Sequence, residues 1–209
     1  MKKIVIFDMD GTLIDSKKDI TISINYVRAK NHNLPPLDEA FVVKVINMQK
    51  RNLAELFYHT KIYETRDREL FEAHYKEQCI QNPYLYEGIL ELLIALKKEG
   101  VLLSVATNAP TIFAQTMLLH LGIAKFFDCI VGADKVEASK PHPAMLNYIL
   151  NSYNYDALND DAWMVGDNSK DMQSATNAGI KSIFAIWGFS SSGEYESVVK
   201  YPKEVLEYV

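Results

Sequence analysis

Four acidic side chains and one ammonium stand out by type and spacing. Asp8 and Asp10 lie in DMDGT (8–12), Asp167 and Asp171 lie in GDNSKD (166–171), and Lys140 lies in SKPHP (139–143). Thr107 and Asn108 fall between them. Brought together, four carboxylates against one ammonium leave a formal charge of −3. Two like charges about 4 Å apart repel by roughly 4 kcal/mol even at an effective dielectric of about 20, so such a cluster needs a cation. A divalent ion reduces the sum to −1, and one protonated carboxylate brings it to zero. Carboxylate oxygens without a thiolate or imidazole among them suit a hard ion, Mg²⁺ first. Mg²⁺ commonly works together with substrate phosphate. Lys140, the N–H groups around Gly11 and the Thr107 hydroxyl would bind the remaining phosphate oxygens.

Such a cluster forms only if a scaffold brings distant segments to one edge. Residues 2–7 are a short β-branched apolar run, the pattern of a buried strand. Further strands are expected over 101–107, 129–131, 162–165 and 181–187, alternating with helices over 89–98, from Pro110 to near Gly122, from 141–150 onward, and over 169–178. A final helix is expected over 201–208. This alternation predicts an α/β chain, a doubly wound, Rossmann-like parallel sheet. Residues 15–81 read instead as helix after helix. Asp15 and Ser16, Asp38 and Asn52 are candidate N-caps, NHNLPP (31–36) is a break, and a fourth helix runs over about 65–80. The domain expectation is therefore a core of 1–14 and 83–209 with an inserted helical block, 15–82. Ligands of open parallel sheets gather outside the carboxyl ends of the strands. Asp8, Asp10, Gly11, Thr107, Asn108, Lys140, Asp167 and Asp171 all follow strands in this reading.

Composition sets the outer bounds. The chain has 209 residues, 48% hydrophobic and 23% charged, enough for a full core without disulfide staples. Acidic residues outnumber basic ones 27 to 22, for a net charge of −5, and no run of Lys and Arg interrupts that balance. A nucleic-acid or anionic-membrane surface is not expected. Cys79 and Cys129 do not make a disulfide framework or a metal-ligand pattern. No window approaches a membrane span, and the N-terminal apolar run is too short for a signal-peptide core. A reduced, cytoplasmic protein is the default expectation, monomer or homodimer being left open.

The segment DMDGT resembles the first motif of the haloacid dehalogenase-like hydrolases, Asp-x-Asp-Gly-Thr. Thr107 with Asn108, Lys140 before Pro141, and GDNSKD stand in order where that family has its remaining motifs, and the resemblance spans residues 1 to about 188. The helical block resembles the small cap of the phosphoglycolate phosphatase-like branch. The resemblance implies that Asp8 is a nucleophile forming an aspartyl-phosphate and that Asp10 is the acid and then the base. It implies Mg²⁺ held by the carboxylates of Asp8 and Asp167 and the carbonyl of Asp10, with Asp171 in an outer shell or orienting Lys140. Gly11, Thr107, Asn108 and Lys140 would hold the phosphoryl group. Asp10 favours O–P chemistry, because an alkoxide leaving group needs a proton.

The expected activity is a phosphatase for a small phosphorylated metabolite, 2-phosphoglycolate first, then sugar phosphates, nucleoside monophosphates and pyrophosphate. A sugar-phosphate phosphomutase is the nearest rival, and a non-catalytic phosphometabolite-binding protein is the rival of another class. Gln49, Lys50, Arg51 and Asn52 form the most polar stretch of the cap. Lys50 or Arg51 would touch the distal part of the substrate; a solvated surface is the plainer reading. Each motif also has a plain reading alone: Asp-x-Asp-Gly as a turn, Lys140 as a loop lysine, Thr107 and Asn108 as caps, Asp171 as a first-turn carboxylate. Trp163 and Trp187 read as core.

Overall fold

A computed structural model describes residues 1–48, 51–190 and 192–209. In chain order the elements are β1 (Lys3–Phe7), β2 (Ile14–Asp15), α1 (Lys17–His32), α2 (Glu39–Asn47), α3 (Leu53–Tyr58), α4 (Thr65–Gln78), β3 (Tyr84–Leu85), α5 (Ile89–Lys98), β4 (Leu102–Thr107), α6 (Thr111–His120), β5 (Cys129–Gly132), α7 (Ala144–Ser152), β6 (Asp161–Gly166), α8 (Ser169–Ala178), β7 (Lys181–Ala185) and β8 (Val198–Val199). The chain divides into two compact units, Met1–Asp15 with Tyr84–Val209, and Ser16–Pro83.

In the first unit six strands pair in the order β5-β4-β1-β6-β7-β8, every pair parallel. The order reverses at β1, which pairs with β4 on one side and β6 on the other. That is the switch point where a parallel sheet opens a crevice at its carboxyl edge. Side chains alternate across the sheet. Ile4, Ile6, Ala106, Val131 and Met164 pack on one face against Met145, Leu146 and Ile149 of α7 and Ala175 of α8. Val5, Phe7, Leu103, Val105 and Val165 point the other way and are equally buried, so both faces are covered. A 3₁₀ helix, Pro202–Glu207, stands where a final helix is expected. The ribbon β2–β3 and the edge strand β8 are two residues each, too short to show a period in sequence.

The second unit is helical. Ile24, Val27, Val42, Val45, Phe57 and Tyr58 form its core. Asp38 caps α2 by accepting from the Phe41 N–H (2.7 Å), and Asn52 caps α3 by accepting from the N–H groups of Ala54 and Glu55. Ser16 occupies the N-cap of α1 without a side-chain capping bond. Buried Asp19 is satisfied by the Gln78 side chain (2.7 Å) and by the backbone and side-chain N–H groups of Asn82 (2.9 and 2.6 Å), which tie the two ends of the insertion together. Among the described residues no helix is long and apolar enough to cross a membrane.

One contact holds the edge beside Thr107 and Asn108. The Asp134 carboxylate accepts from the Thr111 N–H (2.6 Å) and hydroxyl (2.7 Å), and the Gly132 N–H donates to that hydroxyl (3.0 Å). A Cβ on Gly132 would lie 2.3 Å from the Thr111 nitrogen, so β5 meets α6 only through glycine. Partial burial pushes the Asp134 carboxyl up, but the Thr111 bonds outweigh it and hold the group below the usual carboxylate range. A depressed folded value stabilises above the unfolded value and loses that stabilisation as pH falls through the folded one. Asp134 is exposed, so solvent screening limits the effect. Asp134→Asn is expected to cost about 0.5–1 kcal/mol at pH 7 and almost nothing in strong acid. Urea unfolding at both pH values measures the difference, and an equal loss at both would rule out the charge as its cause.

Candidate active site

At the end of β1 the Asp8 N–H donates to the Val165 carbonyl (2.8 Å), the last rung of that ladder. The chain then turns back sharply. The Met9 carbonyl accepts from the N–H groups of Leu13 (2.9 Å) and Ile14 (3.1 Å), and the Gly11 N–H donates to the Ile14 carbonyl (2.9 Å). Gly11 has φ +88°, and a Cβ there would lie 2.6 Å from an Asp167 oxygen. Glycine is thus required twice, by backbone conformation and by the approach of β6's terminal carboxylate.

Lys140 comes from the loop between β5 and α7 and is buried at the rim. Its three ammonium protons have three acceptors: Asp8 Oδ1 (2.7 Å), Asp171 Oδ1 (2.7 Å) and the Ala106 carbonyl (2.6 Å). Asp171 is placed by a capping box at the start of α8. Its Oδ2 accepts from the Asn168 N–H (3.0 Å), and Asn168 Oδ1 accepts from the Lys170 N–H (3.1 Å). Gly166 makes room, since a Cβ there would lie 2.4 Å from Asp171 Oδ2. Asp171 thereby orients Lys140. Asp167 Oδ1 accepts from the Thr12 hydroxyl (3.1 Å), and its Oδ2 accepts from the backbone N–H groups of Phe189 (3.0 Å) and Ser190 (3.2 Å).

Asp8, Asp167 and Asp171 each place a carboxylate oxygen within 4.8 Å of the others. Together with Lys140, these buried groups carry a formal charge of −2. Burial drives the Asp167 carboxyl well above its usual range; Asp8 and Asp171 push the same way, while the Thr12 and Ser190 donors oppose them. Burial also raises Asp171, to about 6, against the pull of Lys140. Burial alone would lower Lys140, yet Asp171 and Asp8 hold it above the ordinary lysine value. A divalent cation would cancel the excess charge, and an all-oxygen donor set suits a hard ion. The residues present therefore fit a divalent metal.

The remaining sequence candidates fall in several places. Asp10 is half-buried in the turn and bridges to Ile14. Thr107 is buried, and its oxygen accepts from the Ala109 N–H (3.1 Å), which leaves its own proton to donate. Asn108 has both ends of its amide on the backbone of Lys140, donating to the carbonyl and accepting from the N–H, each 3.0 Å. It holds the lysine loop through one amide proton and the amide oxygen, and a phosphate contact through this side chain would use the second amide proton. Arg51, in the helical unit, donates to the carbonyls of Ile46 and Met48 (2.7 Å to the latter) and closes the end of α2. Both bonds use Nη1, so a substrate contact would fall to Nε or Nη2. Lys50 and Gln49 lie outside the described residues.

The turn after β7 was not anticipated. Phe189 and Ser190 supply backbone donors to Asp167, and the Trp187 indole donates to the Thr12 carbonyl (2.9 Å). Its sequence signal is the one the other site segments carry: it directly follows a parallel strand, β7.

The haloacid dehalogenase-like hydrolase family model matches residues 5–185. The phosphoglycolate phosphatase of Colwellia psychrerythraea is 31% identical over 198 residues, covering 90% of this chain and 86% of its own. The N-acetylmuramic acid 6-phosphate phosphatase of Pseudomonas aeruginosa is 30% identical over 214 residues, covering 98% and 93%. Among solved structures, that of a predicted phosphoglycolate phosphatase from Haemophilus somnus superposes with a TM-score of 0.84 at 26% identity, covering 99% of this chain and 97% of that one.

Proposed function

We propose, from the premise that this chain belongs to the haloacid dehalogenase-like hydrolases, that it removes phosphate from a small carboxylated phosphate monoester through Asp8. The chain is a phosphatase of this family with a site suited to a divalent metal. The observation that carries the proposal is Lys140 held between Asp8 and Asp171, with Asp167 beside them.

Asp8 attacks phosphorus, forming an Asp8–O–P bond as the ester O–P bond breaks. Asp10 gives its proton to the leaving alkoxide, then takes one from the water that opens the aspartyl-phosphate and releases inorganic phosphate. The carboxylates of Asp8 and Asp167 and the Asp10 carbonyl would hold Mg²⁺, which when bound would supply positive charge against the buried carboxylates and the phosphoryl group. Lys140 fixes the direction of the Asp8 carboxylate. The Thr107 hydroxyl would receive a phosphoryl oxygen, and the Gly11 N–H would do so by giving up the Ile14 carbonyl. A phosphate oxygen reaching Lys140 would have to displace one of its three present acceptors.

The substrate class rests on two relatives that cover most of this chain. One is named for phosphoglycolate and the other for N-acetylmuramic acid 6-phosphate. Both esters carry a carboxylate as well as a phosphate. Phosphate release should be measured on both, together with glycerol phosphate and a neutral sugar phosphate, with Mg²⁺ and with EDTA. The carboxylated esters should be turned over fastest, with 2-phosphoglycolate the first candidate, and EDTA should abolish release. Equal rates on all four would remove the carboxylate from the reading. Isomerised ester without free phosphate would indicate a phosphomutase, and no change of any ester would indicate a binding protein.

A further inference from the structure

We infer that the turn after β7, residues 186–190, is a working part of the cation site, with Trp187 as its positioning residue. The inference rests on the reading that Asp167 holds a divalent cation.

The turn closes a ring of bonds around that carboxylate. Trp187 Nε1 donates to the Thr12 carbonyl (2.9 Å), the Thr12 hydroxyl donates to Asp167 Oδ1 (3.1 Å), and the Phe189 and Ser190 N–H groups donate to Asp167 Oδ2 (3.0 and 3.2 Å). Gly188 lies between the indole anchor and the two N–H donors. A Cβ there would sit 1.6 Å from the Gly11 carbonyl oxygen and 3.1 Å from Asp167 Oδ2, so any side chain drives the turn away from the site. Three donors on two oxygens fix the rotation of the carboxylate before a cation arrives. Each oxygen can accept in more than one direction, so these bonds fix the ligand without exhausting it. The same ring fixes the segment that carries Asp10 and Gly11, because Thr12 is held at both its carbonyl and its hydroxyl. Groups that orient a metal ligand in this way typically change metal affinity by 10–100-fold when removed. Trp187 touches neither the ion nor the phosphate in this account and acts through Thr12 and Asp167.

The test is Mg²⁺ titration of the full chain by calorimetry without substrate, paired with thermal unfolding in EDTA and in Mg²⁺. Trp187→Phe keeps the aromatic bulk and deletes the indole N–H. It should raise the Mg²⁺ Kd by roughly tenfold and shrink the rise in melting temperature that Mg²⁺ produces. Thr12→Val keeps the shape, removes the hydroxyl bond to Asp167, and should weaken Mg²⁺ in the same direction. It is the second arm should Trp187→Phe not fold. Kd values equal to wild type in the folded variants, even with a lower melting temperature in both buffers, would make the ring purely structural and overturn the inference. Wild type that binds no divalent cation would overturn the cation reading of Asp167 itself, whatever the variants do.

Discussion

Replacing Asp8 with asparagine is expected to reduce phosphate release by at least about a thousandfold while the protein stays folded. The two side chains have the same shape, and the asparagine oxygen can still accept the Lys140 proton that Asp8 accepts at 2.7 Å. The rung from the residue 8 N–H to Val165 is backbone and survives the change. What disappears is the charge that makes this oxygen a nucleophile. The substitution also reduces the formal charge of the buried group from −2 to −1, so the metal-free variant should melt at or above the wild-type temperature. Three measurements separate these effects: steady-state phosphate release, acid-quench trapping of labelled phosphate on the protein, and thermal unfolding in EDTA. Wild type should carry trapped label and the variant none. A variant with near-wild-type turnover would refute covalent catalysis through Asp8.

The types and local spacing of the chemistry-bearing residues are legible in the sequence. An apolar run followed by Asp is a local pattern; β1 ends at Phe7 as that pattern predicts, and β6 extends the expected 162–165 by one residue at each end. Helix α8 runs from Ser169 to Ala178 as read, because the Asn168 cap, Asp171 three residues on and Gly179 at the end are local signals. The features that escaped are those whose partner is distant. Ile14 pairs with Leu85 and Asp15 with Tyr84 across the whole helical insertion, in strands two residues long. Asn108 looks like a helix cap in sequence, yet its amide holds Lys140 in a loop 32 residues away. Trp187 looks like core, yet its indole N–H reaches the carbonyl of Thr12. Residue type and local spacing disclosed which groups could react. How those groups are held depended on side-chain bonds to remote backbone, which no local pattern encodes.

Lys140→Met should be the more damaging substitution for stability and should also reduce turnover by about a hundredfold or more. Methionine replaces most of the buried apolar stem but offers no proton to Asp8, Asp171 or the Ala106 carbonyl. Three buried carboxylates then face one another without a counter-ion. Breaking a buried pair from one side typically costs about 3–5 kcal/mol, because the stranded charge remains. The loss should be largest in EDTA and partly recovered in Mg²⁺, which supplies positive charge to the same cluster. Its pH dependence has a definite sign. Asp167 and Asp171 already have raised folded values, Asp171 to about 6, and removing the ammonium raises them further. Above the unfolded carboxylate values near 4 the folded variant then binds more protons than the unfolded chain, so stability falls as pH rises. The variant should be more stable at pH 5 than at pH 8 in EDTA, and its deficit against wild type should widen over that interval. Urea unfolding at the two pH values, with and without Mg²⁺, measures all of this. A deficit independent of both pH and metal would mean that Lys140 contributes packing alone, and that the carboxylates do not form one electrostatic unit.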